Sequence, residues 1–215
     1  PAIEETIKRF EAREDCRVMR VYNGCGILVA QMRAGETPDS YFACDTSFMK
    51  QVQDLFLDSA QISTNQLVIV VPKGNPHEIK ALKDLAKPNL RIGVGHEKQC
   101  AMGVLTQETL KQANLYNPVM KNVTVQSPTG DFLVNQLRTG SLDAVIAYAS
   151  NITSAKSELE SVPIDIPCAV AAQPFAVGKE SKFKYTALRL LDALKSQESR
   201  EKFTSEGFHW KADAK

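Results

Sequence analysis

Short apolar runs alternate with helical patterns along most of this chain, and this alternation constrains the fold more than any other sequence feature. Residues 67–71 have the length of a buried strand, whereas residues 101–113 space their apolar side chains as a helix does. Strands that alternate with helices are joined by crossover connections and tend to form a parallel sheet. The order therefore predicts an α/β protein in which helices flank mainly parallel strands.

Periodicity and turn residues predict the individual elements. Helices are predicted at residues 2–14, 27–32, 45–57, 79–85, 101–113, 129–138, 182–196 and 199–207. Strands are predicted at residues 18–21, 39–44, 66–71, 91–95, 123–126, 143–148 and 169–177. Residues 155–168 contain Pro163 and Pro167 and show little periodicity, so we interpret them as a connection.

The charge balance and the apolar runs exclude several classes of protein. The chain has 215 residues, with 26 basic and 25 acidic side chains, so its net charge of +1 creates no field that would attract nucleic acid or an anionic membrane. No apolar stretch approaches the roughly 20 residues that span a bilayer. The sequence opens without an initiator Met, and we expect any targeting segment to have been removed or to lie outside it.

The cysteines form no recognisable metal or redox motif. Their number is odd, and no pair has the C-x-x-C spacing of a zinc ribbon or a thioredoxin site. They are Cys16, Cys25, Cys44, Cys100 and Cys168. At least one is therefore free or has its partner elsewhere, and we predict no cofactor.

Four strand-to-helix turns are the places where a ligand is expected. In open α/β sheets, helix N-termini direct free amide groups and the positive dipole end toward the carboxyl ends of the strands. These turns lie at residues 23–26, 43–45, 95–103 and 127–131. The first lacks the third glycine of a dinucleotide fingerprint, and the chain has no Walker pattern. Glycines in these turns suit an anion held by main-chain amides.

Two other chemistries remain open from the residues alone. A cysteine nucleophile would combine Cys25, Cys44 or Cys100 with a histidine, although no orienting Asn or Asp has a defensible spacing. The histidines are His77, His96 and His209. A soft-metal site would use the thiol and thioether side chains in these turns. The spacing does not establish that these side chains lie close together. The ligands of such a site would be Cys25, Cys44, Cys100, Met102 and His96.

Most of the chain resembles the molybdate/tungstate-binding proteins that supply ABC importers, which are type II periplasmic binding proteins. The resemblance rests on the order and spacing of several motifs, none of which is strong alone. They are GILVAQMRAG at 26–35, PD at 38–39, FACD at 42–45 with FM at 48–49, and LVIVVPK at 67–73. Further motifs are IGVG at 92–95, Gly103 with ETL at 108–110, QLRTGSLDAVIAY at 136–148, and GF at 207–208.

This resemblance implies a two-lobed type II periplasmic-binding-protein-like fold. Each lobe would be a mainly parallel sheet flanked by helices, with the ligand in the cleft between the lobes. Lobe 1 would comprise residues 1–75 and return at 165–215, and lobe 2 would be the inserted residues 76–164. Matched position by position, the ligand-binding residues would be Gly24, Cys25, Ala101, Met102, Gly130 and Tyr148. Tyr148 would end its strand as a neutral hydroxyl donor.

Two features depart from the family pattern. The family's first strand and the serine-bearing loop after it should precede the first helix, so the chain looks truncated at its N-terminus. At the second family serine this chain has Cys25, and a thiol is a weaker hydrogen-bond donor than a hydroxyl. The exchange is expected to loosen the grip on an oxyanion unless main-chain amides compensate.

The function implied is that of a receptor without enzymatic activity. It would lie in the periplasm or otherwise outside the cytoplasm, bind molybdate or tungstate, and present the closed form to an ABC permease. We expect a monomer that binds no nucleic acid and meets the membrane only through the permease or an N-terminal anchor.

Three alternatives stay open at this point. The same fold could bind a soft metal ion or another small anion through Cys25, Cys44, Cys100 and Met102. A helix N-terminus lowers a thiol pKa, which would make Cys25 or Cys100 a nucleophile. A regulatory ligand-binding domain is disfavoured by the balanced charge and the lack of a helix-turn-helix segment.

Overall fold

The computed structural model describes residues 2–212, which form an α/β fold. Its helices are α1 (Glu4–Glu14), α2 (Cys25–Arg33), α3 (Thr46–Lys50), α4 (Ala101–Gln112), α5 (Tyr116–Met120), α6 (Gly130–Arg138), α7 (Lys184–Leu194) and α8 (Gln197–Ser205). Its strands are β1 (Ser40–Phe42), β2 (Ala60–Pro72), β3 (Ile92–Gly95), β4 (Val123–Ser127), β5 (Ala144–Tyr148), β6 (Leu159–Pro163), β7 (Val170–Val177) and β8 (His209–Trp210). Short 3-10 helices lie at Gln53–Leu55, Leu82–Ala86 and Ala149–Ala155.

The chain divides into two compact units. Unit 1 consists of Pro1–Thr64 and Ala172–Lys215, and unit 2 is the continuous stretch Asn65–Ala171. The chain passes from one unit to the other within β2 and again within β7. The role of lobes that close on a ligand, assigned above to residues 1–75, 76–164 and 165–215, stays a prediction.

Unit 1 packs helices against short antiparallel strand pairs. Phe42 of β1 lies opposite Phe175 of β7, and Ser63 of β2 lies opposite Trp210 of β8. The amphipathic α1 buries Ile7 and Phe10 in the core of this unit, together with residues of α7 and α8. The predicted helix 2–14 is therefore confirmed by α1, with its apolar stripe facing inward.

Unit 2 contains a five-stranded mixed sheet with strand order β6-β2-β5-β3-β4. Val145 of β5 lies opposite Val70 of β2 on one side and Gly93 of β3 on the other. β3 is parallel to both of its neighbours, whereas β2 is antiparallel to β5 and β6. The central strands bury both faces, which explains why they have continuous apolar sequences.

The α/β class is confirmed, but the sheets are less parallel than the alternation predicts. β3 is parallel to β4 and β5, the strands joined through α4, α5 and α6. The pairs β1–β7 and β2–β8 in unit 1 are antiparallel. Crossover helices enforce parallel pairing only between the strands that they connect. β2 pairs antiparallel with β5 and β6, and β7 pairs antiparallel with β1.

The strand predicted at residues 18–21 is wrong. Residues 16–23 form no strand, because a strand needs a ladder partner and none runs beside this segment in the described part of the chain. Side chains hold it instead: the amide of Val18 donates to Glu11 at 2.8 Å, and Arg20 pairs with Glu4 at 3.1 Å. Met19, Val21 and Tyr22 are left exposed.

Several other predicted bounds differ from the structure. The helix predicted from Asp45 to residue 57 ends at Lys50, and residues 79–85 contain a 3-10 helix in place of an α-helix. The strand predicted at 66–71 starts earlier, at Ala60, because its polar first half pairs with β8. The connection predicted at 155–168 contains β6, whose alternating burial leaves a weak apolar signal. α5 and β8 were not anticipated.

Within residues 2–212, no helix combines the length and apolar character needed to cross a bilayer.

Candidate functional site

Three parallel strands of unit 2 end at the same edge of its sheet, and two helices begin there. Gly95 at the end of β3 lies opposite Ser127 at the end of β4, and the amide of His96 donates to the Ser127 carbonyl at 2.8 Å. Tyr148 ends β5, which is parallel to β3. Two turns that sequence analysis selected, 95–103 and 127–131, therefore lie side by side.

The start of α4 is packed tightly against the end of β3. A Cβ atom on Gly95 would lie 2.5 Å from the amide nitrogen of Gly103, and one on Gly103 would lie 2.4 Å from the carbonyl oxygen of His96. Only glycine permits this approach, because no Cβ atom fits at such distances from backbone. The glycines thus fix the first turn of α4 at the sheet edge.

Ala101 and Met102 are positioned to offer only their backbone. Both side chains are buried, at 2% and 1% exposure, so neither reaches a ligand with its side chain. The amide of Ala101 makes no hydrogen bond with any described residue, whereas the amide of Met102 interacts with the sulfur of Cys100. Cys100 precedes the helix in an extended conformation and gives no geometric side-chain cap.

The start of α6 is organised by a small polar network. Ser127 Oγ accepts a hydrogen bond from the Thr129 amide at 3.1 Å, which shapes the turn before the helix. The amides of Gly130 and Asp131 make no hydrogen bond within residues 2–212. The Asp131 carboxylate is the acidic group in this first turn, and it adds negative charge next to those amides.

Asn151 connects the end of β5 with the start of α6. Its Oδ1 accepts from the Tyr148 amide at 3.1 Å, and its Nδ2 donates to Asp131 Oδ1 at 2.9 Å. A Cβ atom on Gly130 would lie 2.6 Å from the same Oδ1. Sequence reasoning missed Asn151, because an asparagine after a strand has no distinctive signal.

Tyr148 is the candidate hydroxyl donor of this edge. It is 9% exposed and pairs with Leu67 of β2, so its ring is packed into the core of unit 2. The structure thus brings Ala101, Met102, Gly130 and Tyr148 to one sheet edge in unit 2.

In unit 1, Gly24 is the N-cap residue of α2 and Cys25 is its first residue. The Gly24 amide is already engaged by the side chain of Asn23 at 2.9 Å. Cys25 is fully buried and forms a disulfide with Cys44, so its sulfur has no hydrogen to donate. The expectation of a thiol donor at Cys25 is therefore wrong for this oxidised form. The amides of Cys25 and Gly26 have no partner among the described residues.

The turn at residues 43–45 is a poor anion site. Asp45 caps α3 by accepting from the Ser47 amide at 2.8 Å, and its second oxygen accepts from the Ala172 amide at 3.3 Å. A carboxylate thus already occupies the amide groups that an anion would use. Asp45 is thus the N-cap residue of α3.

The soft-metal alternative finds little support. Two of its predicted ligands, Cys25 and Cys44, are joined in a disulfide and therefore have no thiolate to offer a metal ion. In unit 2, Met102 is buried in the core and Cys100 is 8% exposed. Residues 2–212 contain no group of three or more His, Cys, Asp or Glu side chains arranged to hold a metal ion.

The nucleophile alternative also lacks the electrostatics that it needs. Burial raises the pKa of the Cys100 thiol, and the amides of Gly103 and Met102 offset the rise only in part. A raised pKa keeps the sulfur protonated and unreactive at neutral pH. The disulfide removes Cys25 from the same role.

Unit 1 also contains an apolar cavity of about 360 Å³ that sequence analysis did not anticipate. Its walls include α1, residues 18–23 and β1. Tyr41 lies in this wall with its hydroxyl buried and unpartnered among the described residues, and burial raises its pKa. The hydroxyl of Tyr22 donates a hydrogen bond to Glu4, and partial desolvation of this largely exposed side chain together with that carboxylate raises the pKa of Tyr22 to about 12. Cys44 also borders this cavity.

Comparison with known proteins identifies a family. Residues 1–209 match the family described as bacterial extracellular solute-binding protein. The molybdate-binding protein ModA of Mycobacterium tuberculosis is 28% identical over 145 residues, which are 66% of this chain and 53% of that protein. The matched region thus spans about half of ModA.

Solved structures share the fold at lower identity. The periplasmic molybdate-binding protein of Azotobacter vinelandii has a TM-score of 0.80 at 14% identity and covers 98% of this chain and 94% of its own. The sulfate-binding protein SubI of Mycobacterium tuberculosis has a TM-score of 0.83 at 16% identity and covers 100% of this chain and 84% of its own. These likenesses confirm the type II periplasmic-binding-protein-like architecture.

Proposed function

The chain belongs to the bacterial extracellular solute-binding proteins, and from this premise we propose that it binds a small tetrahedral oxyanion of the molybdate and tungstate class. It delivers this anion to the permease of an ABC importer from outside the cytoplasm and catalyses no reaction. The family and its relatives are binding proteins, which supports the receptor role.

The observation that carries this proposal is a set of helix-opening amides without partners. The amides of Ala101, Gly130 and Asp131 in unit 2, and those of Cys25 and Gly26 in unit 1, make no hydrogen bond within residues 2–212. Amides at helix N-termini bind anions through their N–H groups and through the helix dipole. We propose that Tyr148 adds a neutral hydroxyl donor to this set.

The choice among oxyanions follows from the kind of donors. A site made of N–H and O–H donors favours an anion without protons, because a protonated oxygen finds no acceptor there. The Asp131 carboxylate adds some repulsion for a dianion. The relatives named above bind molybdate and sulfate respectively. We propose molybdate and tungstate for this chain because its sequence motifs resemble those of the molybdate/tungstate-binding proteins.

Isothermal titration calorimetry tests the proposal directly. The oxidised protein is titrated with molybdate, tungstate, sulfate and phosphate at neutral pH. We expect saturable heat with one site per chain for molybdate and tungstate, and weaker binding of phosphate, which carries a proton at this pH. A folded protein that releases no heat with any of the four anions would overturn the receptor assignment.

A proline substitution isolates the main-chain contribution at α4. In Ala101→Pro the amide hydrogen is lost, and proline is tolerated at the first helical position after the extended Cys100. A hydrogen bond to a charged group contributes about 1.5–3 kcal/mol, so we expect roughly ten- to hundredfold weaker molybdate binding.

The matched control is Gln197→Pro, which places proline at the first position of α8 after the extended Ser196. This variant should keep the affinity of the parent protein. Equal affinity of the two variants, with both folded by circular dichroism, would exclude the Ala101 amide as a ligand.

A further inference from the structure

The Cys25–Cys44 disulfide joins two helix-opening turns that are held in different ways. On the Cys44 side the turn is well anchored: Ala43 donates to Pro174 at 2.9 Å, and Asp45 both caps α3 and accepts from Ala172. Removal of the disulfide would leave these hydrogen bonds in place.

On the Cys25 side the anchoring is sparse. The N-cap residue Gly24 has no side chain to cap the helix, and residues 16–23 before it belong to no strand. Two amides, those of Ile27 and Leu28, reach the Gly24 carbonyl at 2.9 and 3.1 Å. The disulfide is therefore the covalent tether that joins the turn presenting the Cys25 and Gly26 amides to the better anchored turn at Cys44.

From this asymmetry we propose that the Cys25–Cys44 disulfide is a redox gate for oxyanion binding, which weakens binding when it is reduced. The inference rests on the proposed function, since it concerns the same amides. In the oxidised protein the α2 turn is fixed before the ligand arrives, and a preordered site loses less entropy on binding. Reduction gives Cys25 a thiol, but a weak S–H donor compensates poorly for a turn that must be ordered by the ligand.

The chemistry is thiol–disulfide exchange with a dithiol reductant. A thiolate of the dithiol attacks Cys44 Sγ, the bond between the two sulfurs breaks, and Cys25 leaves as a thiolate that takes up a proton. The second thiol of the reductant then attacks the mixed disulfide and releases Cys44 as a thiol. The protein gains two electrons and two protons, and the dithiol becomes a disulfide.

Of the two cysteines, Cys44 is the residue that such a reductant can approach. Cys25 is fully buried, whereas Cys44 is partly exposed and borders the apolar cavity of unit 1. Attack at Cys44 is thus the accessible route. Extracellular conditions are oxidising, so the binding-competent form is the resting form of this family member.

The test compares molybdate affinity in the oxidised and dithiothreitol-reduced protein by calorimetry. Thiol labelling and mass spectrometry confirm that two further thiols appear on reduction, and near-ultraviolet circular dichroism confirms that the protein stays folded. We expect about five- to tenfold weaker binding after reduction. The double variant Cys25→Ala/Cys44→Ala should bind like the reduced protein and ignore the reductant.

A second variant assigns the response to this pair. The triple substitution Cys16→Ser/Cys100→Ser/Cys168→Ser removes the other thiols, which are free in the structure, and should keep the redox response. Equal or tighter binding by the reduced, folded protein would overturn the gate while leaving the receptor function intact. Loss of the folded state on reduction would also overturn it, because binding would then be lost through unfolding. Absence of binding in both redox states would overturn the receptor function and the gate together.

Discussion

At the scale of single residues, Tyr148 is the side chain that we propose as a hydroxyl donor to the ligand. It ends β5, and its backbone amide is held by Asn151, which also bonds the first turn of α6. Its ring is buried and its position is therefore fixed by packing, independently of any ligand. A phenol held in this way donates to an anion without carrying a charge of its own.

The substitution Tyr148→Phe removes the hydroxyl and keeps the ring. We expect molybdate affinity to fall roughly tenfold, because a hydrogen bond to a charged acceptor is lost, and we expect little change in the urea midpoint of unfolding. Calorimetry and urea titration measure the two effects separately.

The matched control is Tyr41→Phe in unit 1. The Tyr41 hydroxyl is buried without a partner among the described residues, so its removal should leave affinity unchanged and stability equal or higher. Unchanged affinity in Tyr148→Phe would exclude the Tyr148 hydroxyl as a ligand.

Sequence reasoning located some of these residues because turn chemistry is local. The turns at 95–103 and 127–131 are predicted by strand, turn and helix patterns that lie within a few residues of each other, and the resemblance implies Ala101 and Gly130 within them. The Cys25–Cys44 bond spans 19 residues of sequence, and Asn151 reaches Asp131 across 20. Contacts at such separations depend on how the chain returns in three dimensions, which spacing alone does not specify.

At the scale of elements, the entry into β3 is fixed by an ion pair with the residue before β5. The Asp143 carboxylate accepts hydrogen bonds from the Arg91 amide at 2.8 Å and from the Arg91 guanidinium at 2.6 and 3.2 Å. His77 Nε2 lies 3.5 Å from Asp143 Oδ1. The hydrogen bonds from the Arg91 side chain lower the pKa of Asp143, against the opposing effect of burial. This pair sets the register of the parallel strands that lead to the site.

Asp143→Asn should lower the free energy of unfolding at pH 7 by about 1–2 kcal/mol. Because the pKa of Asp143 is lowered in the folded protein, its ionised carboxylate contributes fully to stability above the unfolded-state pKa of 3.8. This stabilisation is lost as the pH falls through the lower pKa of the folded state. Urea unfolding at pH 7, 5 and 3 should therefore show a difference that shrinks only at the lowest pH.

Glu158→Gln provides the control, because its bidentate partner Arg138 lies on an exposed surface. This substitution should change stability much less. A difference for Asp143→Asn that is the same at all three pH values would contradict the ion-pair explanation.

Element prediction succeeded where a strand is buried on both faces or a helix has a clear apolar stripe. β3, β5 and α4 fall within one or two residues of their predicted bounds. The strand predicted from Val18 to Val21 does not form. Its residues alternate as in a strand, but no other strand among residues 2–212 pairs with them. β6 was missed because only Leu159 among its five residues is fully buried. Pairing, which is a property of two segments, decides such cases.

At the scale of the whole molecule, ligand binding and folding are linked. Under the proposed function the native protein binds the anion and the unfolded chain does not, so the anion adds stability in proportion to the logarithm of its concentration. At a hundred times the dissociation constant this amounts to about 2.7 kcal/mol. For a chain of 215 residues such a gain corresponds to a rise in Tm of roughly 5–10 °C.

Thermal unfolding of the oxidised protein should therefore shift upward with molybdate and with tungstate. The shift should follow the affinities measured by calorimetry and should be smaller for Ala101→Pro. Potassium chloride at equal ionic strength controls for general salt effects. A shift of the same size with chloride would show that the stabilisation does not come from a specific site.

The two passages of the chain between the units, in β2 and in β7, also impose an order of events during synthesis. Unit 2 is one uninterrupted stretch, so all of its strands have left the ribosome once Ala171 has emerged. Unit 1 needs segments from both sides of unit 2: β1 pairs with β7, and α1 packs on α7, and both β7 and α7 are made after most of unit 2. The first 64 residues must therefore wait, with their apolar faces uncovered, until the segment that begins at Ala172 has been made. A chaperone that shields nascent chains would have its substrate in that N-terminal stretch.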